Sequence, residues 1–430
     1  MVRQGGGLIL AVICVLLHPF TAASSQNPCR SQQVQEALPS EQCKEDDKDA
    51  KTGSSRRDRV YWDNALYLDS SWNNLRIRFG GDAQNDTAGF LNTDSAQEVL
   101  GVPIEGGVQW RRARLDARGT FGKYFHFRYR WDFTSSNPPH LQDAYFGLRN
   151  LPIPTLEIMA GRFREPLGLE GTTGANDTTF MERSVTSAFL PARDTGLLFY
   201  GEAPRRKIRW AIGILRPEDE DRTRAETDRV GISGRFAGAL HPKGGKTLVH
   251  LGIDLWRRNV DPTIGFSSRP ESGIAPRFVD TGEITATSVH LGIAETAVQR
   301  GPFSVQGEFV PAIVESTDQG QLFFHAFYVM GSYVLTGETR RYSGGRFRRP
   351  RPKHELGDGA GGKGAFEVAV RFSRIDLNDK SVTGGELNDV SAAFNWYPTN
   401  HTRAYFNVIR AELEGADPVW IFQLRLQIAF

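Results

Sequence analysis

The chain has 430 residues and a formal net charge of +2, too near neutral to point to a partner by itself. Its three Cys and nine His fall in no metal-ligand spacing. After the N-terminus no run approaches eighteen consecutive apolar residues, which excludes a later transmembrane helix.

The N-terminus is read first. Arg3 is a short positive region, Leu8–Leu17 is an apolar run, and Ala22, Ala23 and Ser24 are small. That order is a secretory signal peptide over residues 1–24. The run is too short to cross about 30 Å of hydrocarbon as an anchor. An exported chain without a later membrane helix is either soluble or a barrel. Residues 25–59 are polar and charged, with too few apolar side chains for a core, and read as a periplasmic arm. Cys29 and Cys43 lie there, and an oxidising periplasm permits one disulfide between them.

From residue 60 to Phe430 the texture is uniform: short alternating segments separated by Gly, Pro, Asn and Asp, read as one domain. Composition agrees, with 45 Gly, 27 Phe and a mean hydropathy of −0.40. A barrel with a polar lumen and an apolar exterior has such an average. In Tyr124–Phe133 one face carries Tyr124, His126, Arg128, Arg130 and Asp132, and the other Phe125, Phe127, Tyr129, Trp131 and Phe133. A sandwich core would bury those charges at high cost; a water-filled lumen removes the conflict. Arg76 and Arg78 alternate with Leu75, Ile77 and Phe79 in the same way. Arg112, Arg114, Asp116 and Arg118 share a face, opposite Ala113, Leu115 and Ala117. By that period Arg111 faces away, unless a bulge turns it. Glu165–Arg193 breaks the pattern and reads as a long loop folded into the lumen. The last segment, Ile421–Phe430, ends in Phe behind an apolar face of Leu424, Leu426 and Ile428. Strands of about ten residues over this span give an all-β, antiparallel transmembrane barrel of roughly sixteen strands.

These residues resemble the phosphate-selective porin O and P family. The resemblance runs from about Leu75 to Phe430. It is carried by FGG at Phe79–Gly81, RRARL at Arg111–Leu115, LQDAYFG at Leu141–Gly147 and GRFREPLGLE at Gly161–Glu170. FMERS at Phe180–Ser184, SYVLTGETRRY at Ser332–Tyr342, FEVAVRFSRIDLND at Phe366–Asp379, NWYP at Asn395–Pro398 and RLQIAF at Arg425–Phe430 continue it. The resemblance implies an outer-membrane homotrimer of sixteen-stranded barrels, each with an arginine-lined pore and an inward constriction loop. It implies that Arg111, Arg112, Asp132 and Arg183 hold anions at the constriction. Arg269 and Arg277 are the loose counterparts of further loop arginines. The chain departs where phosphate-binding members carry a Lys after GLE and then a Ser pair: here stand Gly171, Gly174 and Ala175. Asp82 stands where those members carry Arg after GG.

Arg offers planar paired donors suited to oxyanions, and weak repeated binding suits transport. Arg76, Arg78, Arg114, Arg128, Arg130, Arg269 and Arg277 are read as pore-lining. The competing reading is structural: Asp116, Asp132, Asp143, Glu157 and Glu182 neutralise such arginines and merely brace the wall. No nucleophile or metal-hydrolase motif is present, so no enzyme and no cofactor is expected. The basic cluster Arg340–Arg351 has few interleaved aromatics, which argues against nucleic acid. It is expected in an extracellular loop that meets lipopolysaccharide phosphates or draws anions to the mouth. The leading function is a passive channel for phosphate-like or organic anions. The alternatives are a non-selective general porin and a soluble exported carbohydrate-binding β-protein.

Overall fold

The computed structural model describes residues 58–430, apart from 135–138, 154, 204–207, 218–228, 242–245, 261 and 360. The signal peptide, Cys29, Cys43 and nearly all of the polar arm lie outside the described residues.

Alternation predicts strands, and strands form. After a short hairpin, β1 (Arg59–Trp62) and β2 (Leu66–Ser70), come β3 (Leu75–Leu91), β4 (Gly107–Phe121), β5 (Phe125–Asp132), β6 (His140–Leu148) and β7 (Glu157–Arg164). The chain continues through β8 (Arg193–Ala203), β9 (Ile208–Arg216), β10 (Gly231–Leu240) and β11 (Thr247–Asn259). Three two-residue strands follow: β12 (Thr263–Ile264), β13 (Ser267–Ser268) and β14 (Val279–Asp280). The rest are β15 (Ile284–Arg300), β16 (Phe303–Ser316), β17 (Gly320–Val334), β18 (Ala365–Asp379), β19 (Val382–Tyr397), β20 (Thr402–Leu413) and β21 (Val419–Ala429). Sixteen of them pair antiparallel in chain order, and β21 closes on β3 from Trp420↔Leu91 to Ala429↔Asp82. Closure satisfies every wall strand, as a membrane-embedded sheet requires. Among the described residues no helix is long and apolar enough to cross a membrane.

The closing seam is close-packed. Gly81 and Phe430 exchange backbone hydrogen bonds of 3.1 and 3.0 Å. A Cβ on Gly81 would stand 2.7 Å from the Arg114 carbonyl oxygen, so the FGG run answers a steric need. β2 pairs with Leu75–Phe79 of β3 and continues the wall past the C-terminus.

The exterior is the apolar face that alternation assigns. Phe125, Trp131, Phe146, Phe422, Leu424, Leu426 and Ile428 are exposed to it. The inner face is less uniform than the alternation predicts. Along β16–β20 the far half of the lumen is apolar: Val310, Val314, Leu322, Phe324, Ile375, Leu387 and Ile409 are fully buried. They pack against Val185 and Phe189 of the 165–192 loop and against Phe266, Phe278 and Val279 of the 260–283 loop. Each such buried side chain is worth about 1.5–3 kcal/mol. Half of this side of the barrel is therefore a solid core.

Two expectations conflict. The Arg340–Arg351 cluster belongs to the connection 335–364, which joins β17 to β18 at the end that carries β1 and Phe430. The 165–192 loop enters from the opposite end. An N-terminal arm in the periplasm and an extracellular cluster therefore do not hold together. The cluster turns into the lumen: Arg346 donates to the Thr172 carbonyl at 2.9 Å and Arg348 meets Asp177 at 3.0 Å.

Gly161 lies where β6 and β7 part before the inward loop. Its φ is +127, and a Cβ would stand 2.3 Å from the Ala144 carbonyl oxygen. Gly161→Ala is expected to cost about 1–3 kcal/mol. The check is the temperature at which the folded band disappears on an unboiled detergent gel, which falls in the variant.

Candidate functional site in the lumen

The inward loop is built to be held. Its first turn presents three backbone N–H groups to two wall carboxylates. Gly168 donates to Asp254 at 2.6 Å; Leu169 and Glu170 donate to Glu308 at 2.6 and 3.0 Å. Its last turns present carbonyls to three buried wall arginines. Arg403 of β20 donates to Thr178 and Thr179 at 2.7 and 3.0 Å, and Asn395 of β19 also reaches Thr179. Arg371 of β18 reaches the Glu182 carbonyl and pairs with Glu170 at 3.1 Å and Glu271 at 2.5 Å. Arg425 of β21 donates to the Met181 carbonyl and pairs with Asp86 at 2.6 Å and Glu182 at 2.5 Å. Aromatic faces complete the sockets: Phe180 under Arg371 at 4.2 Å, Tyr405 under Arg403 at 3.5 Å. Glu271 in the 260–283 loop also accepts from Ser373 and Ser391, each at 2.6 Å.

A bulge resolves the position of Arg111. Gln84 pairs with Arg112 and Asn85 with Trp110, so Arg111 is the extra residue of β4. A bulge re-aims a side chain. Arg111 and Arg112 thus both turn to Glu182, at 2.9 and 3.9 Å. Burial alone would raise the Glu182 carboxyl; Arg111, Arg425 and Arg112 overcome it and hold it well below its ordinary value. A second bulge lies on β6, where Arg130 pairs with Asp143 and Trp131 with Leu141, leaving Gln142 unopposed. Gln142 donates to Asp132 at 2.9 Å.

The other predicted residues are placed as follows. Asp132 sits with Arg114 at 2.8 Å, apart from the Arg111–Glu182 group. Arg183 makes no carboxylate pair; it donates to the Glu170 and Thr173 carbonyls at 2.9 and 2.7 Å. Arg128 pairs with Asp116 at 2.7 Å and Asp143 at 3.5 Å. Arg130 lies 3.7 Å from Asp82 and 3.9 Å from Asp116, and Arg78 lies 4.0 Å from Asp116. Arg76 pairs with Asp69 of β2 at 2.9 Å. Arg269 caps its own loop through the Gly273 and Ala275 carbonyls. Arg277 forms an exposed pair with Asp280 at 3.3 Å.

The clamp has no signature in the sequence. Arg371 alternates with Val370 and Phe372, and Arg425 with Leu424 and Leu426, which places both on inner faces, but nothing in a single sequence marks an arginine as a carbonyl clamp. Arg403 gave no signal beyond its place beside Ala404 in the last hairpin.

The two walls therefore differ. On β18–β21 the buried Arg371, Arg403 and Arg425 are consumed by the loop. On the β3–β8 side, inside the lumen, Arg118 and Arg164 of the wall and Arg183 of the loop form no ion pair with a carboxylate among the described residues. Arg164 stands in register with Arg193, and the charges that bear on it are Arg183, Arg193 and Arg114 against Asp143. Such a corner offers guanidinium donors to an anion without a fixed counter-ion.

Arg371→Ala leaves Glu170 and Glu271 buried without their cation, a loss of about 3–5 kcal/mol in such settings. The loop is expected to loosen, read as protease cleavage within 165–192 and as added open-channel current noise. An uncut, quiet variant would refute the clamp.

Comparison with known proteins agrees with this geometry. The model of the family "Phosphate-selective porin O and P" matches residues 78–430. An uncharacterized protein of Caulobacter vibrioides is 31% identical over 330 residues, 73% of this chain and 64% of that protein, so the match spans less than two thirds of the relative's length. Among solved structures, the trimer form of OmpT, an outer membrane protein of Vibrio cholerae, aligns with a TM-score of 0.51 at 11% identity, over 83% of this chain and 99% of that one. The anion-selective porin from Comamonas acidovorans aligns with a TM-score of 0.50 at 12% identity, over 83% of this chain and 100% of that one. Those likenesses concern the fold. The chain belongs to the phosphate-selective porin O and P family, as an outer-membrane porin.

Proposed function

We propose that this porin passively conducts small anions, phosphate-like or organic, through the gap between the 165–192 loop and the β3–β8 wall. The observation that carries the reading is the set of arginines without carboxylate partners on that wall and loop: Arg118, Arg164 and Arg183. Uncompensated guanidiniums raise the local anion concentration and give weak, replaceable donors along the path. At the constriction Arg183 brings a charge without a carboxylate partner, its remaining N–H groups open to an anion while two bind the Glu170 and Thr173 carbonyls. Arg111 and Arg112 join it to the extent that an anion competes with Glu182. Asp132, apart from them, orients Arg114, whose charge bears on Arg112 and Arg183. The missing Lys and Ser pair at Gly171, Gly174 and Ala175 argue against a tight orthophosphate site. Assembly as a homotrimer is part of the proposal, supported by the family resemblance and by the trimer form of the Vibrio cholerae protein.

A non-selective porin of the same fold is the second reading. It is favoured by the many closed pairs, with Asp116, Asp132, Asp143 and Glu182 each holding arginine.

Reversal potentials in a KCl gradient across a planar bilayer separate the two. The expected result is a preference for Cl⁻; equal permeability to K⁺ and Cl⁻ establishes the second reading. Within the first, Arg183→Ala is expected to lower anion preference. Glu182→Gln is expected to raise it, because Arg111 and Arg112 lose their counter-charge while the barrel stays closed.

A further inference from the structure

A second group of cations lies nearer the terminal end of the barrel, away from the loop. Five residues on five neighbouring strands stand side by side: Tyr67 of β2, Arg78 of β3, Arg118 of β4, Arg128 of β5 and Tyr145 of β6. Each is the register partner of the next: Tyr67↔Arg78, Arg78↔Arg118, Arg118↔Arg128 and Arg128↔Tyr145. Register partners share a face, and this face is inner, because Asp116 two residues before Arg118 pairs with Arg128 across it. At a strand spacing of about 4.8 Å, the three guanidiniums span about 10 Å. Arg118 lies six residues from Arg112, roughly 20 Å along the strand.

Like charges placed directly opposite one another destabilise a sheet. Compensation in the row is incomplete. Asp116 serves Arg128 at 2.7 Å and Arg78 at 4.0 Å, and Asp143 serves Arg128 at 3.5 Å. Arg118 is exposed to the lumen and has no hydrogen bond or ion pair among the described residues. The groups that act on it are Arg78, Asp116, Arg128 and Tyr67. The row thus has one more cation than its carboxylates hold, with a phenol at each end.

We infer that this row is a second anion-binding station, specific for small tetrahedral oxyanions, at which Arg118 is the principal ligand and Arg78 and Arg128 flank it. Two neighbouring guanidinium forks match the oxygen spacing of one phosphate, which bridges them as a carboxylate does. Tyr67 and Tyr145 supply hydroxyl donors at the ends. Chloride gains the charge but not the fork geometry. The inference rests on the reading that anions traverse this lumen. It adds that they pause at the terminal mouth, on a wall to which the β1–β2 hairpin contributes Tyr67.

The test uses the full-length porin in a planar bilayer that carries a chloride current, with inorganic phosphate added to one side at a time. Phosphate added at the terminal end is expected to reduce the wild-type current in a saturable way. Arg118→Gln is expected to raise the half-blocking phosphate concentration from that side about tenfold, the loss of one charge-assisted hydrogen bond. Arg118→Lys, which keeps the charge without the fork, is expected to fall between. Because Arg118 has no partner, both variants are expected to keep the heat-modifiable folded band. If either folded variant matches the wild-type titration from both sides, the station is refuted. Reversal potentials on the same wild-type channels tell this failure from that of the functional reading. A selective wild type with an unchanged Arg118→Gln titration sinks the station alone, whereas a non-selective wild type sinks the anion channel.

Discussion

Glu182 joins three arginines from two strands that flank the closing seam: Arg111 and Arg112 of β4, and Arg425 of β21. Between those strands runs β3, whose Asp86 takes the other face of Arg425. One carboxylate on the inward loop thus stitches the first wall strands to the last. Without it three guanidiniums would crowd one buried corner, and with it the loop has no freedom to swing out. The bulge at Arg111 belongs to the same constraint. A regular β4 would send Arg111 to the lipid face, where an unpaired charge costs about 2–4 kcal/mol at mid-membrane depth.

The rest of the lumen follows from how the loop is then fastened. Its turn donates N–H groups to Asp254 and Glu308, and its carbonyls accept from Arg371, Arg403 and Arg425. These groups lie on β11 and on β16–β21. The loop leans on that side, and Val185 and Phe189 of its returning stretch complete the core formed with the 260–283 loop. The connection 335–364 supports it from the terminal end through Arg346 and Arg348. In the proposed channel the solute takes the other side, β3–β8, which the loop meets through Glu182 at β4.

Much of this was legible in the sequence. The Tyr124–Phe133 alternation reappears as an exposed aromatic face on β5 over an inner face of Arg128, Arg130 and Asp132, because a two-residue period leaves a strand no other way to lie at a lipid boundary. The Glu165–Arg193 break marked the loop. Three things were not legible. The Arg111 bulge depends on a register shift against Gln84 that only the paired strand reveals. The inner faces of β16–β20 turn apolar where loops cover them, and a run such as Phe309–Val314 reads alike in lipid and in a core. The end of the barrel that the Arg340–Arg351 cluster shares with the N-terminus depends on strand order, which the cluster's own residues do not show.

The departures from phosphate-binding members gain a physical meaning from these positions. Asp82 lies on β3 beside the seam, 3.7 Å from Arg130. An Arg there would crowd Arg130 and Arg114, the register partner of residue 82. Asp82 instead draws off part of the Arg130 charge. At Gly171 a Cβ would point at the Leu190 side chain, 3.0 Å away, and Leu190 packs with the apolar core. A Lys at that position would have to leave an apolar contact to reach solvent. Acid added at the seam and charge removed from the loop act in the same direction. In the proposed anion channel both weaken the pull on an anion at the constriction, and they leave the charge without a carboxylate on Arg183, on Arg164 and, farther down the wall, on Arg118. A channel of that kind would hold its solute less tightly at its narrowest point and spread the remaining attraction along one wall, an arrangement suited to passage rather than capture.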